Sequence, residues 1–292
     1  MKSFYYRRPS SIEEACDLLR EPTGQVKALA GGTDLLIATK QGKLRPNMVV
    51  SLRDIPTLSF IRVTPGSEAV IGSMVSLEEI ELSNDIRSYL PAVAEAASYV
   101  GSTQVRTRAT MGGNLCNAAP SADMAPILMA NDASIVLADC GKERTVKLDA
   151  FFTGPGKTVM KSGELMSEIR IPISPKQSFS KYLKVGRSSM DIAVVGVAVR
   201  VDLEVGSEIC KNVRLILGAV GPTPIRAKAS EFILEGKELS DDIINKVAES
   251  AVKESRPISD VRSSESYRRH MVRVLTRRAL SEARSWAKRG GE

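Results

Sequence analysis

Short apolar segments of strand length alternate with helix-like stretches over the first 175 residues of the chain. Serine or aspartate before an amphipathic stretch predicts a helix start, and a short apolar run between turn residues predicts a strand. The predicted strands are residues 25–30, 48–52, 60–63, 68–71 and 133–138. The predicted helices are residues 11–19, 34–39, 91–100 and 122–130, with another that begins at Ser76. Residues 106–114 are predicted to lead through a glycine-rich loop.

The pattern changes after Pro172. Longer strands are predicted at residues 178–185, 192–203 and 213–220, and helices at residues 227–234, 240–255 and 264–288. Strands followed by helices favour an antiparallel sheet with helices packed against it. We therefore predict an α+β protein with a domain boundary near residue 175.

The composition is that of a globular protein, and a chain of 292 residues suits two domains or three small ones. No apolar run approaches the ~18 residues that a membrane span needs. The first eight residues lack an apolar signal core, so we predict a cytoplasmic protein that does not contact membranes. The cysteines form no C-x-x-C pair, and His270 is the one histidine, so no metal site is predicted.

The net charge of +7 is concentrated near the C-terminus, where arginines alternate with apolar residues in the predicted helix at 264–288. Three interpretations stay open for this helix: a solvated face, a surface that docks on an acidic partner, and a nucleic-acid-binding face. Only 4% of residues are aromatic and no nucleic-acid-binding motif is present, which disfavours the third interpretation.

Two glycine pairs carry the clearest candidate chemistry. The first lies in residues 30–34 (Ala-Gly-Gly-Thr-Asp), and the second in residues 110–114 (Thr-Met-Gly-Gly-Asn). Glycine lets a ligand approach the bare backbone, and consecutive N–H groups in such a loop form a concave anion site. Either pair alone is typical of a hairpin turn or a helix cap, but together they could hold the two phosphates of a dinucleotide.

Two common nucleotide-binding patterns are disfavoured. The chain has no G-x-G-x-x-G, which argues against a Rossmann site. Residues 154–158 (Gly-Pro-Gly-Lys-Thr) resemble the end of a P-loop, but Phe151 stands where its first glycine is required. We interpret that segment as a turn.

With their flanking residues, the glycine pairs resemble the FAD-binding medium subunits of molybdenum hydroxylases, the family of xanthine dehydrogenase, carbon monoxide dehydrogenase and aldehyde oxidoreductase. The resemblance covers essentially the whole chain. Its marks are residues 30–36 (AGGTDLL), 71–73 (IGS), 104–106 (QVR), 110–123 (TMGGNLCNAAPSAD), 168–172 (EIRIP), Lys184, 191–193 (DIA) and 218–224 (GAVGPTP).

The resemblance implies an FAD-binding domain of the vanillyl-alcohol-oxidase type over residues 1–175, with subdomains at about 1–57 and 58–175. FAD would lie extended between these subdomains. Residues 176–292 would form a C-terminal domain of the carbon monoxide dehydrogenase flavoprotein type.

The resemblance also assigns positions that contact FAD. Those that wrap the pyrophosphate and part of the ribityl chain are Lys27, Ala28, Leu29, Ala30, Gly31, Gly32, Thr33, Asp34 and Leu35. Those that close from the second subdomain are Thr110, Gly112, Gly113 and Asn114. The remaining ones are Val100, Gly101, Asp123, Met166 and Lys184. No acid–base or nucleophilic catalytic residue is expected, because the protein positions and tunes the cofactor.

The implied function is electron transfer. In the family, a large subunit oxidises the substrate at a molybdenum cofactor and a small subunit passes electrons through two [2Fe-2S] clusters. They reach FAD in the medium subunit and leave to an external acceptor. The oxidised substrate stays open among carbon monoxide, an aldehyde, a purine and an aromatic thioester.

The acceptor is also open, because residues 185–190 lack the aromatic residue that some members place near the flavin, and Tyr182 is the nearest aromatic. Two alternative functions are a free-standing FAD-dependent oxidase or reductase and a basic nucleic-acid-binding module.

Overall fold

The computed structural model describes residues 2–21, 23–175, 177–204 and 207–289. The helices are α1 Ile12–Leu19, α2 Leu35–Lys40, α3 Leu77–Leu82, α4 Asn84–Tyr89, α5 Pro91–Ser98, α6 Thr103–Arg106, α7 Met111–Cys116, α8 Met124–Ala130, α9 Lys228–Leu234, α10 Asp241–Glu254 and α11 Glu265–Lys288. The strands are β1 Tyr5–Arg7, β2 Val26–Leu29, β3 Met48–Ser51, β4 Ile61–Thr64, β5 Glu68–Gly72, β6 Ser134–Asp139, β7 Lys142–Lys147, β8 Phe152–Gly154, β9 Lys157–Thr158, β10 Leu165–Pro172, β11 Ser178–Val185, β12 Val195–Leu203, β13 Cys210–Gly218 and β14 Ile225–Arg226.

The first sheet is small and parallel, with strand order β1-β3-β2. Helix α1 begins where the Ser11 side chain accepts a hydrogen bond from the N–H of Glu14, so its start follows from a serine cap. Its buried face, Ala15 and Cys16, packs on the sheet in a core with Val50 and Leu52. Strand β2 lies at the edge of this sheet, with β3 as its neighbour, and ends at Leu29, shortly before the first glycine pair.

The second sheet is antiparallel, with strand order β4-β5-β10-β6-β7. Strand β10 enters between β5 and β6, and so joins two hairpins that are distant in sequence. Helices α3 to α8 pack in one core with this sheet, and α3 starts at a complete capping box between Ser76 and Glu79. One core, which contains Ile71, Ile135 and Ile169, joins the sheet to these helices.

The third sheet is antiparallel, with strand order β11-β12-β13-β14, and α9, α10 and α11 share its core. Helix α8 packs against β12 and β13, so it contacts this third sheet as well. The contact is close at Gly218, where an added Cβ would lie 2.8 Å from Cγ of Pro126. This contact brings Asp123, which directly precedes α8, close to the third sheet.

The predicted α+β class is confirmed as a mixed fold of helices and sheets. Most predicted elements are present within a few residues of their expected ends, and the predicted turn at residues 154–158 lies within the β8–β9 hairpin. The third sheet's central strand begins at Val195 rather than residue 192, because residues 186–194 form a turn instead. Strands β1, β7 and β10 were not anticipated from the pattern.

Candidate functional site

Residues 30–34, which we call the first glycine loop, connect β2 to α2 and need glycine for two different reasons. Gly32 has a φ of +81°, in the left-handed region that favours glycine. Gly31 lies against the backbone of a later segment, so that an added Cβ would stand 1.8 Å from the carbonyl oxygen of Arg108. The loop is therefore fixed by its own conformation and by a close contact.

The first glycine loop also presents free backbone donors. Within the described parts of the chain, the N–H groups of Gly31, Gly32 and Thr33 donate no hydrogen bond. The first bond beyond them runs from the N–H of Leu36 to the carbonyl oxygen of Gly32, at 3.1 Å, where α2 starts. Successive unpaired N–H groups in a turn suit an anion such as a phosphate.

The second glycine pair differs from the predicted loop, because it forms the first turn of α7. Thr110 caps this helix, and its Oγ1 accepts a hydrogen bond of 3.0 Å from the N–H of Gly113. The N–H groups of Met111 and Gly112 donate to the carbonyl oxygens of Val75 and Ser73, at 3.0 and 2.9 Å. These three N–H groups therefore have acceptors within the chain, and a role of residues 110–114 towards the phosphates stays a prediction.

The two glycine segments nevertheless meet. An added Cβ on Gly113 would lie 3.6 Å from Cβ of Ala30, and Gly31 touches the backbone just before Thr110. Beside this contact, Oδ1 of Asn114 is buried and has no hydrogen-bond partner among the described residues. A buried acceptor without a partner costs free energy unless a ligand or a water molecule donates to it.

A second group of predicted residues forms a buried polar cluster. Asp123 accepts a hydrogen bond of 2.9 Å from the hydroxyl of Tyr182 and an ion-pair contact of 3.0 Å from Nζ of Lys184. Tyr182 is fully buried, so its ring is not available to cover a bound flavin. Burial raises the pKa of Asp123, although Lys184 and Tyr182 act in the opposite direction. Burial also raises the pKa of the Tyr182 hydroxyl well above its usual range, with Asp123 as a further cause.

Lys184 connects this cluster to two loops. Its Nζ also donates to the carbonyl oxygens of Tyr99, at 2.7 Å, and Asp191, at 3.1 Å. Tyr99 directly precedes the predicted positions Val100 and Gly101, and Gly101 has a left-handed φ of +56°. The structure therefore brings Asp123, Lys184 and residues 99–101 together.

The other predicted positions differ in accessibility. Lys27, Ala28 and Leu29 lie in the one-sided edge strand β2, with Ala28 exposed. Asp34 is exposed at the start of α2, and its side chain makes no capping bond. Met166 lies in β10, is 1% exposed, and packs in the core rather than at the surface of the site.

Sequence reasoning did not assign a role to Tyr99 or Tyr182. Tyr182 and Lys184 are two positions apart in β11, so their side chains project from the same face of the sheet. That spacing was a signal that Tyr182 belongs with Lys184. Tyr99 acts through its carbonyl oxygen, for which the residue type gives no signal.

The C-terminal helix α11 uses much of its positive charge within the molecule. Arg268 is buried, and Arg269, Arg273 and Arg284 form ion pairs with Glu265, Glu249 and Asp241. Arg277, Arg278, Lys288 and Arg289 form no ion pair within the described chain. Part of the positive charge of α11 is therefore neutralised within the molecule, and the three interpretations of the helix stay open.

Two features are absent from the described residues. No group of His, Cys, Asp or Glu side chains there is arranged to hold a metal ion. Among the same residues, none of the helices combines the length and apolar character required to cross a bilayer.

The residues present fit FAD on two observations of the structure. Free N–H groups in the first glycine loop suit the oxygens of a diphosphate. The unpaired Asn114 Oδ1 suits a hydroxyl or N–H donor, and FAD carries both kinds of group. The close contact of the two glycine segments places these features side by side.

Comparisons with known proteins give the same assignment. Residues 2–174 match the family described as the FAD binding domain in molybdopterin dehydrogenase. Residues 180–283 match the CO dehydrogenase flavoprotein C-terminal domain.

Relatives align over nearly their whole length. The glyceraldehyde dehydrogenase medium chain of Sulfolobus acidocaldarius is 35% identical, over 96% of this chain and 98% of the relative. The xanthine dehydrogenase FAD-binding subunit of Escherichia coli O157:H7 is 31% identical over 95% of each chain. A chain in the structure of carbon monoxide dehydrogenase from Hydrogenophaga pseudoflava superimposes with a TM-score of 0.93 at 32% identity, over 98% of both chains. The chain belongs to the FAD-binding medium subunits of the molybdenum hydroxylase family.

Proposed function

We propose that this chain binds FAD at the first glycine loop and α7. As the medium subunit of a molybdenum hydroxylase complex, it passes electrons from the [2Fe-2S] clusters of a small subunit to an external acceptor. The observation that carries the proposal is the contact of the first glycine loop with the segment that leads into and forms α7. Among the described residues, the N–H groups of Gly31, Gly32 and Thr33 in that loop have no acceptor, and the buried Asn114 Oδ1 in that segment has no donor. Family membership supports the same cofactor and the same partners.

FAD, when bound, supplies a redox centre that can accept electrons singly and release them singly or in pairs. The chain's own residues bind and position it. The N–H groups of Gly31, Gly32 and Thr33 would hold the diphosphate, and Asn114 Oδ1 would accept a hydrogen bond from the cofactor. Lys184 donates hydrogen bonds to Asp123, Tyr99 and Asp191, and so holds these three segments together at the site.

We assign the remaining predicted positions to the same site. They are Lys27, Ala28, Leu29, Ala30, Asp34, Leu35, Val100, Gly101, Thr110, Gly112, Gly113, Asp123, Met166 and Lys184. Met166 requires a backbone contact, since its side chain is in the core. The edge of β2, the Gly31–Arg108 contact and the Lys184 hydrogen bonds support placing these positions around one cofactor.

The domain organisation is part of the proposal. We propose a vanillyl-alcohol-oxidase-type FAD domain over residues 1–175, with subdomains at about 1–57 and 58–175, and a C-terminal domain over 176–292. Separate sheets in these three parts and the two family matches support this division. A cytoplasmic location remains a prediction from the sequence.

The substrate of the complex is not selected by this chain. Relatives at similar identity are named for glyceraldehyde, xanthine and carbon monoxide, although their medium subunits align over nearly their full length. Similar medium subunits therefore occur in proteins that are named for different substrates. We propose that a large molybdenum-containing subunit determines what is oxidised here.

Anaerobic reduction of the purified complex tests the electron-transfer role. When the complex is given its reducing substrate, the visible flavin absorption should bleach after the iron–sulfur absorption changes. The FAD-loaded chain alone should show no bleaching with the same substrate. Turnover by the isolated chain would contradict the proposal and favour a free-standing oxidase.

A further inference from the structure

Two cysteines from distant parts of the chain meet between the first and second sheets. Cys16 lies on α1, which packs on the first sheet, and Cys140 lies in the turn between β6 and β7 of the second sheet. Helix α1 also contacts β6 and β10, and both cysteines pack in the core that contains Val50 and Leu165. We call these two residues the thiol pair, and both thiols are free.

Each sulfur of the thiol pair contacts the segment that carries the other cysteine. Sγ of Cys16 donates to the carbonyl oxygen of Ala138 at 3.5 Å, and the N–H of Cys140 lies against the same sulfur. Sγ of Cys140 lies 3.8 Å from the carbonyl oxygen of Glu13 and 2.9 Å from Oδ1 of Asp17, so it rests on α1. The two thiols are therefore neighbours across the boundary between the two sheets.

Cysteine is an unusual residue for the backbone at position 140. The turn between β6 and β7 consists of Cys140 and Gly141, with φ values of +42° and +79°. A two-residue turn with two positive φ values favours Asn-Gly or Gly-Gly, and a cysteine at its first position is strained. A side chain that is retained against the local backbone preference points to a role for its thiol.

The two thiols differ in exposure in the way that a stepwise oxidation requires. Cys140 is partly exposed, whereas Cys16 is 0% exposed, so a dissolved oxidant reaches Cys140 first. The hydrogen bond to Asp17 raises the pKa of the Cys140 thiol, although the Arg20 guanidinium acts in the opposite direction. Burial raises the pKa of the Cys16 thiol. Because the thiolate is the reactive form, the pair stays reduced until an oxidant is supplied.

We propose that Cys16 and Cys140 form a reversible disulfide when the protein meets a peroxide. Sγ of Cys140 attacks one oxygen of hydrogen peroxide, the O–O bond breaks, and a sulfenic acid and one water molecule form. Sγ of Cys16 then attacks the sulfenic sulfur, the S–S bond forms, the S–O bond breaks, and the hydroxyl group leaves as a second water molecule. Two thiols are oxidised and one peroxide is reduced to water. An added dithiol reverses the bond by exchange.

The disulfide would fasten together the two sides of the candidate site. The first glycine loop follows β2 of the first sheet, whereas α7 packs in the core of the second sheet. A cross-link between the two sheets restricts the open states in which these segments part. It should therefore slow the release of FAD. This consequence rests on the proposed function, whereas formation of the bond does not.

The test compares the purified complex in its reduced state with the same complex after treatment with hydrogen peroxide. Cys140→Asn removes one thiol and supplies a residue that the turn favours, so this variant should fold at least as stably as the unmodified chain. Cys210→Ala is the matched control, because it also removes one thiol, from the core of the third sheet. Mass spectrometry of thiol-blocked peptides detects the bond, and flavin fluorescence measures the rate of FAD release.

A linked peptide that contains Cys16 and Cys140 should appear after oxidation of the unmodified complex and of Cys210→Ala. It should disappear with dithiothreitol and be absent from Cys140→Asn. Oxidation of Cys140 to a sulfinic acid without any linked peptide would overturn the inference. Linkage through Cys116 or Cys210 in equal amount would also overturn it.

The oxidised complex should release FAD at least about threefold more slowly than the reduced complex, and peroxide should leave the release rate of Cys140→Asn unchanged. Equal release rates in the oxidised and reduced complexes would overturn the effect on the site. Absence of FAD from the reduced complex, with the linked peptide still formed on oxidation, would instead contradict the proposed function. The two failures are therefore distinguishable.

Discussion

Asp123 and Lys184 form an ion pair, with 3.0 Å between Oδ2 and Nζ, and both side chains are over nine-tenths buried. The pair joins α8 to β11 across 61 positions of sequence. The Tyr182 hydroxyl donates a hydrogen bond to the other carboxylate oxygen of Asp123. The cluster therefore ties the second sheet's helices to the third sheet at the candidate site.

Replacement of Lys184 by methionine should destabilise the protein strongly. Asp123 would keep its burial and lose its cation, and an unpaired buried charge of this kind costs about 3–5 kcal/mol. The free energy of unfolding by urea measures the effect. Arg187→Met is the control, because Arg187 pairs with Asp191 at the surface and is 57% exposed. We expect that control to cost no more than about 1 kcal/mol, and equal losses in both variants would contradict the structural role of the pair.

An alanine at Gly31 should weaken FAD binding. Its Cβ would overlap the carbonyl oxygen of Arg108, so the first glycine loop and the segment before α7 must move apart. Overpacking of this kind costs about 1–3 kcal/mol, and displacement of the phosphate-binding donors should add a loss of FAD affinity.

The glycine control is Gly154→Ala. Its added Cβ would have Lys157 Cδ at 4.0 Å as its nearest neighbour, so there is room for it. FAD affinity is measured by fluorescence titration of the flavin-free protein. Unchanged affinity in Gly31→Ala would contradict the assignment of the loop to the cofactor.

Replacement of Asn114 by leucine should separate stability from binding. Oδ1 of Asn114 is buried without a partner, so its removal should leave the flavin-free protein equally stable or more stable. FAD affinity should fall, because the cofactor loses an acceptor. Calorimetric melting of the flavin-free protein and FAD titration measure the two effects.

Asn131→Leu is the comparison for Asn114. Asn131 donates to the carbonyl oxygen of Ile127 at 2.8 Å and to Oγ of Ser180 at 3.1 Å, so its replacement should lower stability. A loss of stability in Asn114→Leu without any loss of FAD affinity would show that the amide serves the fold alone.

Acid should weaken the protein through Asp260. The N–H of Arg262 and the Arg268 guanidinium lower the pKa of the Asp260 carboxyl to about 2. A carboxyl with a depressed pKa in the folded state contributes stability above its unfolded pKa, which is about 3.9. That contribution is lost as the pH falls through about 2. In Asp260→Asn, the unfolding free energy should therefore depend less on pH over that range. Identical pH profiles would show that the carboxyl is not held by these donors.

Helix starts and several strands could be predicted from the sequence because local signals define them. Ser11, Ser76 and Ser240 each cap a helix with a side-chain hydrogen bond, and the residues at 178–185 form β11 as expected. These features depend on a few neighbouring residues. Strand β10 was missed because its identity depends on pairing with β5 and β6, which are far away in sequence.

The candidate site was predictable only in part. Glycine is a poor helix former, so residues 110–114 favoured a loop, but bonds to Val75 and Ser73 from a distant segment stabilise the first turn of α7. The partnership of Lys184 with Asp123 could not be read from local pattern, and family resemblance supplied both residues. Whether the N–H groups of Gly31 and Gly32 have acceptors depends on the fold around the loop, so the sequence alone does not show it.

The central claim is that this chain holds FAD, and the cofactor released on denaturation tests it most directly. The purified protein should be yellow, and chromatography of the heat-released flavin should yield FAD in stoichiometric amount with the chain. Release of FMN, or failure to bind FAD under any reconstitution condition, would contradict the account.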